Sequence, residues 1–132
     1  MEEQQRKRYH NMMLAQQIQY LKPPLDTLDK LLAKVGKIGA ERYAGILHDK
    51  DIGEEDHIHL FMHFKNSRDI KAVAKALNIA PQYIESWDNG ISNGFAYLIH
   101  RTKNAENDYQ YNATEVTANF DYINWVEKFE AK

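Results

Sequence analysis

The 132-residue sequence contains no cysteine. Disulfides, thiolate catalysis and cysteine-ligated zinc are therefore excluded, so a bound metal would need histidine, aspartate, glutamate or backbone oxygen as ligands. No apolar run approaches the roughly 20 residues that span a bilayer. The N-terminal segment MEEQQRKR also lacks the apolar core of a signal peptide. We expect a cytoplasmic protein with no membrane partner.

An excess of positive charge is also missing, because 17 lysines and arginines face 19 aspartates and glutamates, giving a net charge of −2. Domains that bind nucleic acid usually carry a clear positive excess. The charges are nevertheless clustered, and a polarised surface can bind DNA despite its total charge. Basic residues cluster at 6–8, and the candidates for DNA contact on such a surface would be Lys65, Arg68, Lys71, Lys75, Arg101 and Lys103.

The first half of the chain predicts a helix between strands. Part of 10–20 is interpreted as a first strand, and apolar residues at helical spacing predict a helix over 24–35 that ends at Gly36. A buried strand follows over 42–47 and another over 57–64. The short acidic turn between these two strands makes them antiparallel neighbours.

The second half adds one strand and three helices. Ser67 is predicted to cap a helix that ends at Leu77, with Asn78 as its terminator. A strand over 81–87, a helix over about 92–104 and a final helix over about 119–130 complete the pattern. The order β-α-β-β-α-β-α-α predicts a single α+β domain with a mainly antiparallel sheet and helices packed on it.

His57 and His59 flank one apolar residue inside a predicted strand. Because side chains alternate between faces, both imidazoles project to one side, about 7 Å apart at Cα, while Ile58 faces the core. Alone, such a pair is about as often surface decoration as a ligand pair. The neighbouring strand brings His48 and Asp51 to the same end of the hairpin. Three imidazoles and one carboxylate suit Mn²⁺, Mg²⁺ assisted by phosphate oxygens, or Zn²⁺.

Other groups near this set are ranked below it. Asp49 and Asp56 are interpreted as turn residues that accept local backbone hydrogen bonds. His63 shares the face of His57 but lies further along the strand. His10 and His100 are candidates for supporting contacts around the ligands.

Tyr97 lies on the predicted helix over 92–104, opposite the apolar stripe that contains Phe95, Leu98 and Ile99. A solitary tyrosine on a polar face is usually a surface residue. Beside a metal site, however, a phenol is a competent nucleophile toward a phosphodiester. A cation stabilises the charge that develops in the transition state, and neighbouring cations ease formation of the phenolate.

Three segments, LHDKD at 47–51, HIHLF at 57–61 and YLIHR at 97–101, resemble in order and spacing the motifs of a known family. They resemble those of HUH endonucleases, specifically the RepB-type plasmid replication initiators of Gram-positive bacteria. The resemblance covers most of the chain, from the first strand to beyond the tyrosine helix. It implies an RRM/ferredoxin-like core.

The resemblance also implies roles for individual residues. The resemblance implies that Tyr97 is the nucleophile. It also implies a divalent metal cofactor, expected to be Mn²⁺ or Mg²⁺, with the ligands His48, Asp51, His57 and His59. Many HUH initiators carry a lysine three residues after the tyrosine, where this chain has His100. We place His100 in the catalytic set, with a phosphate contact and a proton relay as open alternatives. Tyr109 and Tyr111 are read as packing or as a secondary nucleophile.

The implied activity is the nicking of single-stranded DNA at a plasmid double-strand origin, which initiates rolling-circle replication. Tyr97 would attack the scissile phosphate, leaving a free 3′-OH and a 5′-phosphotyrosine link. The basic helix around Lys71 and Lys75 would read origin DNA, and Trp87 or Tyr83 would stack on bases. A host helicase and oligomer formation are further expectations. We interpret 1–132 as one catalytic and origin-binding domain truncated from a longer initiator.

Two alternatives remain open at this point. A non-catalytic RRM-like nucleic-acid-binding module has a similar order of strands and helices, but it leaves the histidines unexplained. A relaxase or a transposase of the same superfamily would share the chemistry. A metal-dependent covalent adduct with DNA separates an enzyme from a binding module.

Overall fold

Five strands form one sheet in the computed structural model, which describes residues 7–88 and 90–131. The strands are β1 (Arg8–Gln17), β2 (Arg42–His48), β3 (His57–Asp69), β4 (Ile84–Ser86) and β5 (Thr117–Ala118), and their order across the sheet is β4-β1-β3-β2-β5. Every pairing is antiparallel. The predicted α+β class with a mainly antiparallel sheet is therefore confirmed. Arg6 of the predicted basic cluster lies outside the described residues.

Four helices cover the two faces of this sheet: α1 (Leu28–Lys37), α2 (Ile70–Leu77), α3 (Ile91–Tyr97) and α4 (Tyr122–Glu130). The first four strands with α1 and α2 follow the β-α-β-β-α-β order of the ferredoxin-like fold. Helices α1 and α2 pack on one face, and α3 and α4 pack on the other. None of the helices within 7–88 and 90–131 has the length and hydropathy needed to cross a bilayer.

The side chains of β3 alternate between the two faces as predicted. Ile58 and Leu60 belong to the core beneath α1 and α2, whereas Phe61 belongs to the core beneath α3 and α4. The Phe61 ring is fully buried against Phe95, with ring centroids 4.9 Å apart. Gly94 lets α3 approach this closely, because a Cβ there would overlap the Phe61 ring. Helix α3 therefore covers the face of β3 that carries His57 and His59.

The ends of the first two helices differ from prediction. Helix α1 begins at Leu28, where the Thr27 hydroxyl accepts from the backbone N–H of Lys30, and it continues through the expected stop at Gly36. Ser67 does not cap α2, because β3 stays paired with β1 as far as Asp69. The Asp69 carboxylate accepts from the Ala72 N–H and is the N-cap instead.

The predicted terminator of α2 is confirmed. Asn78 adopts the left-handed conformation with φ of 60°. The N–H of Ile79 donates to the Ala74 carbonyl, and the N–H of Asn78 donates to the Lys75 carbonyl. These two bonds form the Schellman arrangement that closes many helices.

The helix predicted over 92–104 is wrong in its second half. Helix α3 ends at Tyr97, and a second Schellman arrangement follows, in which His100 is the left-handed residue with φ of 61°. The Arg101 N–H donates to the Ala96 carbonyl and the His100 N–H donates to the Tyr97 carbonyl. The chain thus reverses beside Tyr97, and Thr102 lies beyond the helix.

The C-terminal part also departs from the predicted elements. Only Ile84–Ser86 of the strand expected over 81–87 is extended, after a 3₁₀ turn over Pro81–Tyr83. The two-residue strand β5 was not predicted. Helix α4 begins at Tyr122, and it buries Tyr122 and Val126 while Ile123 is exposed.

Candidate active site

Three imidazoles meet where β2 ends and β3 begins. His48 and His57 are directly paired across the two strands, and His59 lies two residues further along β3 on the same face. The His48 ring centroid is 5.3 Å from that of His57 and 4.4 Å from that of His59. One nitrogen from each ring lies within 4.8 Å of the others. The strand alternation thus brings together the three predicted histidines.

Backbone carbonyls orient two of these rings. His48 Nε2 lies 2.7 Å from the Leu98 carbonyl and donates to it, so the lone pair of His48 is on Nδ1. His57 Nδ1 lies 2.8 Å from the Glu55 carbonyl, which leaves its lone pair on Nε2. Such bonds to the far nitrogen set the tautomer and ring orientation of metal-binding histidines.

The Asp51 carboxylate completes the set from the loop between β2 and β3. Its Oδ2 lies 3.4 Å from both His48 Nδ1 and His57 Nε2. Its Oδ1 accepts a hydrogen bond from the Tyr111 hydroxyl at 2.8 Å. Tyr111 is fully buried, and its ring stacks on that of His48 with centroids 4.4 Å apart. Tyr111 therefore positions both a carboxylate and an imidazole.

The ionisation of the cluster suits metal binding. Burial lowers the pKa of His48, although the Leu98 carbonyl and Asp51 act in the opposite direction. Burial and the neighbouring histidines hold the pKa of His59 well below its usual value. Both rings are thus neutral near pH 7, the form that ligates metals. Among the described residues, His48 Nδ1 and His59 Nδ1 are buried without a hydrogen-bond partner. Buried polar atoms are rarely left unpaired, so these two nitrogens mark the cluster as a candidate metal site.

Tyr97 and His100 face the same cleft. The Tyr97 ring lies 5.7 Å from that of His59 and 5.6 Å from that of His100. His100 is buried, and its Nδ1 lies 2.7 Å from the Tyr109 carbonyl. The cleft has a volume of about 420 Å³ and is lined by Ala15, Asp51, Ile52, Glu54, His57, His59, Tyr97, His100, Asn107, Asp108 and Tyr109. A phenol and a histidine cluster therefore share one open space.

The charge of the cleft is negative. Its described lining includes Asp51, Glu54 and Asp108 but neither lysine nor arginine. Burial, followed by Asp108, Asp51 and Glu54, raises the pKa of Tyr97. We expected neighbouring cationic side chains to ease formation of the Tyr97 phenolate. The described lining of the cleft contains no lysine or arginine that could do so. A phosphate would enter this cleft only together with a cation.

The residues predicted to contact DNA are spread over the molecule. Lys71 and Lys75 are exposed on α2, on the face of the sheet opposite the histidines. Lys65 is exposed towards the end of β3. Lys103 is exposed and lines a depression of about 280 Å³ together with Trp87. Of these four, Lys103 is linked to the Tyr97 side, because the ring of the neighbouring Trp87 lies 5.8 Å from that of Tyr97.

The two predicted DNA-binding arginines make internal contacts. The Arg68 guanidinium donates to the Ile38 carbonyl at 3.3 Å and tethers the loop after α1. The Arg101 guanidinium donates to the Glu130 carboxylate at 2.6 Å and to the Tyr111 carbonyl at 2.8 Å. Arg101 thus secures the segment that carries Tyr111.

The remaining histidines lie away from the cluster. His63 Nδ1 bonds to the Asn11 side chain at 2.7 Å, and its Nε2 lies 3.3 Å from Glu41. His10 Nδ1 contacts the Phe64 carbonyl at 3.0 Å. Neither ring lines the Tyr97 cleft.

The sequence did not identify Tyr111 as a partner of the cluster. It lies 60 residues from Asp51 along the chain and has no motif of its own. The Leu98 carbonyl that orients His48 was also missed, because any residue carries a carbonyl there. Such contacts follow only from the tertiary fold.

Comparison with known proteins finds similarity to replication proteins. A family model described as the origin binding domain of plasmid replication proteins matches residues 3–123. A "Replication protein" of Onion yellows phytoplasma (strain OY-M) is 28% identical over 102 residues. The matched region is 65% of this chain and 26% of that relative, so the chain corresponds to about a quarter of its length.

Proposed function

The chain belongs to the plasmid replication protein family as an origin-binding domain, and we propose that it also nicks the origin strand. The reaction is a transesterification on single-stranded DNA at the plasmid double-strand origin. It leaves a free 3′-OH as a primer and a 5′-phosphotyrosine link, and so initiates rolling-circle replication.

One observation carries this proposal: Tyr97 lines the same cleft as His57, His59 and Asp51. The Tyr97 ring lies 5.7 Å from that of His59, whose Nδ1 is buried without a hydrogen-bond partner. The cleft is open enough to admit a phosphodiester, whereas His48 supports it from a fully buried position.

The residues of the cluster fit a divalent ion, with Mn²⁺ or Mg²⁺ as the expected cofactor. His48 Nδ1, His57 Nε2, His59 and one Asp51 oxygen would hold it. When bound, such an ion supplies the positive charge that this acidic cleft lacks and stabilises charge on the reacting phosphate. The side chains themselves orient the donors and exclude water from the inner end of the site.

In the covalent step, the Tyr97 Oη attacks the scissile phosphorus and the bond from phosphorus to the 3′ oxygen breaks. The phenol loses one proton and the leaving 3′ oxygen gains one, so the step is balanced without ATP. The His100 ring follows Tyr97 closely along the chain and lies 5.6 Å from its ring. His100 Nδ1 donates to the Tyr109 carbonyl, so its Nε2 is available to accept that proton. The reverse attack by a 3′-OH reseals the strand.

An RRM-like binding module is less consistent with the sheet. RRM domains bind bases on aromatic side chains of an open sheet face. Here that face is covered by α3 and α4, and its central aromatic residue, Phe61, is fully buried. The match to plasmid replication proteins also favours an initiator over a relaxase or a transposase.

Trapping of the covalent adduct tests the proposal. The protein is incubated with Mn²⁺ and 3′-end-labelled, randomised single-stranded oligonucleotides, and adducts are resolved on a denaturing gel. We expect an adduct for the wild type, none for Tyr97→Phe and an undiminished one for Tyr109→Phe, since Tyr109 lines the same cleft. An equal adduct yield from Tyr97→Phe would falsify the assignment of the nucleophile. No adduct from the wild type would leave only DNA binding.

A further inference from the structure

Two exposed tyrosines line the same depression at one end of the sheet. Tyr20 ends the 3₁₀ turn that follows β1, and Tyr83 ends the 3₁₀ turn that precedes β4. Because β1 and β4 are antiparallel neighbours, with Leu14 opposite Ile84, these turns adjoin each other. Tyr20 is 57% exposed and Tyr83 is 38% exposed. Their rings contribute nothing to either core.

A groove connects these tyrosines to the Tyr97 cleft. A depression of about 430 Å³ is lined by Tyr20 and Tyr83, and it shares Ala15, Glu54 and His57 with that cleft. A further depression of about 340 Å³ continues past both rings to Lys22. We call this path, from His57 between Tyr20 and Tyr83 to Lys22, the tyrosine groove.

The lining of the tyrosine groove fits nucleobases better than phosphates. Between His57 and Lys22 it presents phenol rings, the amides of Gln16 and Gln17, and the carboxylates of Glu54 and Glu55. Lys22 is the single lysine or arginine in the described lining. Phosphates require cations, whereas bases stack on aromatic rings and donate ring N–H or amino hydrogens to amide and carboxylate oxygens.

We propose that the tyrosine groove binds unpaired bases of the DNA strand that flanks the phosphate attacked by Tyr97, with bases stacking on Tyr20 and Tyr83. The inference rests on the proposed function, because that function supplies a single strand at the cleft. It adds where the strand leaves the cleft, namely across the end of β1 towards β4. Stacking is tolerant of sequence, so the two tyrosines would hold the strand whatever its bases are. The amides and carboxylates of the groove would then select among those bases.

Photocrosslinking and binding to oligothymidylate test this proposal. The Tyr97→Phe variant keeps the groove and cannot form the adduct, so it is irradiated with oligothymidylate that carries 5-iododeoxyuridine, and crosslinked peptides are mapped by mass spectrometry. We expect crosslinks at Tyr20 and Tyr83. In fluorescence anisotropy at one salt concentration, Tyr20→Ala and Tyr83→Ala should each raise Kd about fivefold to a hundredfold.

Matched variants separate stacking from general damage. Tyr20→Phe and Tyr83→Phe retain the rings and should bind within about twofold of the parent protein. Ile123→Ala removes an exposed apolar side chain on α4, outside the groove, and should not change Kd. Unchanged Kd values for both tyrosine-to-alanine variants, or crosslinks only at other sites, would overturn the proposal.

The outcomes also distinguish the groove from the nicking reaction. If wild type forms no adduct but binding depends on Tyr20 and Tyr83, the nicking proposal fails and the groove stands. If the adduct forms while both alanine variants bind with full affinity, the groove fails and nicking stands. Absence of any binding to oligothymidylate overturns the groove.

Discussion

The Tyr111 hydroxyl donates to Asp51 Oδ1 at 2.8 Å, while Asp51 Oδ2 lies 3.4 Å from His48 Nδ1. One oxygen of the carboxylate is therefore held by the protein and the other is directed at the histidine cluster. The same hydroxyl accepts from the Lys50 N–H at 2.9 Å, which orders the start of the loop that carries Asp51. A buried phenol thus positions an aspartate from far along the chain.

Tyr111→Phe should weaken metal binding without removing a ligand. The ring can still stack on His48, so the main loss is the hydrogen bond to Asp51, and losses of such outer contacts lower metal affinity by about 10- to 100-fold. Isothermal titration with Mn²⁺ measures the change. Tyr122→Phe is the matched control, because it also loses a buried hydroxyl contact, to the Phe95 carbonyl at 2.5 Å, outside the cleft. Equal affinities of Tyr111→Phe and wild type would show that Asp51 does not need this support.

His57→Ala should lower Mn²⁺ affinity by more than about a hundredfold, because it removes a proposed ligand rather than an outer contact. Its melting temperature should then no longer rise when Mn²⁺ is added. His63→Ala provides the comparison on the same face of β3, since His63 bonds to Asn11 and lies near Glu41 instead. A His63→Ala variant with the same loss as His57→Ala would contradict the assigned site.

Alkaline pH should destabilise the fold in part through Tyr122. Burial raises the pKa of this phenol above its usual value of 10.0. A folded-state pKa above the unfolded one means that the stabilisation is complete below about pH 10 and is lost as the pH rises further. Urea unfolding at about pH 8 and about pH 11 measures the effect. Tyr122→Phe should lose less stability over this interval than wild type, and an identical loss would rule out Tyr122 as a contributor.

Gly94→Ala should destabilise the protein although alanine favours helices. The added methyl group would overlap the Phe61 ring, and overpacking of this kind costs about 1–3 kcal/mol, against a gain of up to about 1 kcal/mol in helix propensity. We expect a net loss of about 1–2 kcal/mol in the free energy of unfolding, measured in urea. In a double-mutant cycle, Phe61→Leu should relieve part of the loss, whereas simple additivity would exclude a clash between these two positions.

The predictable features of this chain are those set by local pattern. Alternation along β3 was enough to place Ile58 on one face and His57 and His59 on the other, because strand geometry leaves no other choice. Asn78 was recognised as a helix terminator because asparagine tolerates the left-handed conformation. The antiparallel pairing of β2 and β3 followed from the short turn between them, and with it the proximity of His48 to His57.

The features that escaped prediction depend on distant partners. Ser67 and Asp69 are both good N-caps, and pairing of β3 with Arg8 in β1 decides between them. The end of α3 was missed because His100 has no strong terminator character of its own. Its Nδ1 bond to the Tyr109 carbonyl helps to hold the left-handed conformation.

His100 combines two properties that most substitutions would remove together. Its backbone reverses the chain directly after the tyrosine helix, and its ring lines the cleft. An alanine at this position would delete the imidazole and strain the reversal at once, because a positive φ is costly for residues with a Cβ. Glycine adopts that conformation freely. The contribution of the ring to the proposed nicking reaction can therefore be isolated with His100→Gly, whereas an alanine scan of this segment would overstate that contribution.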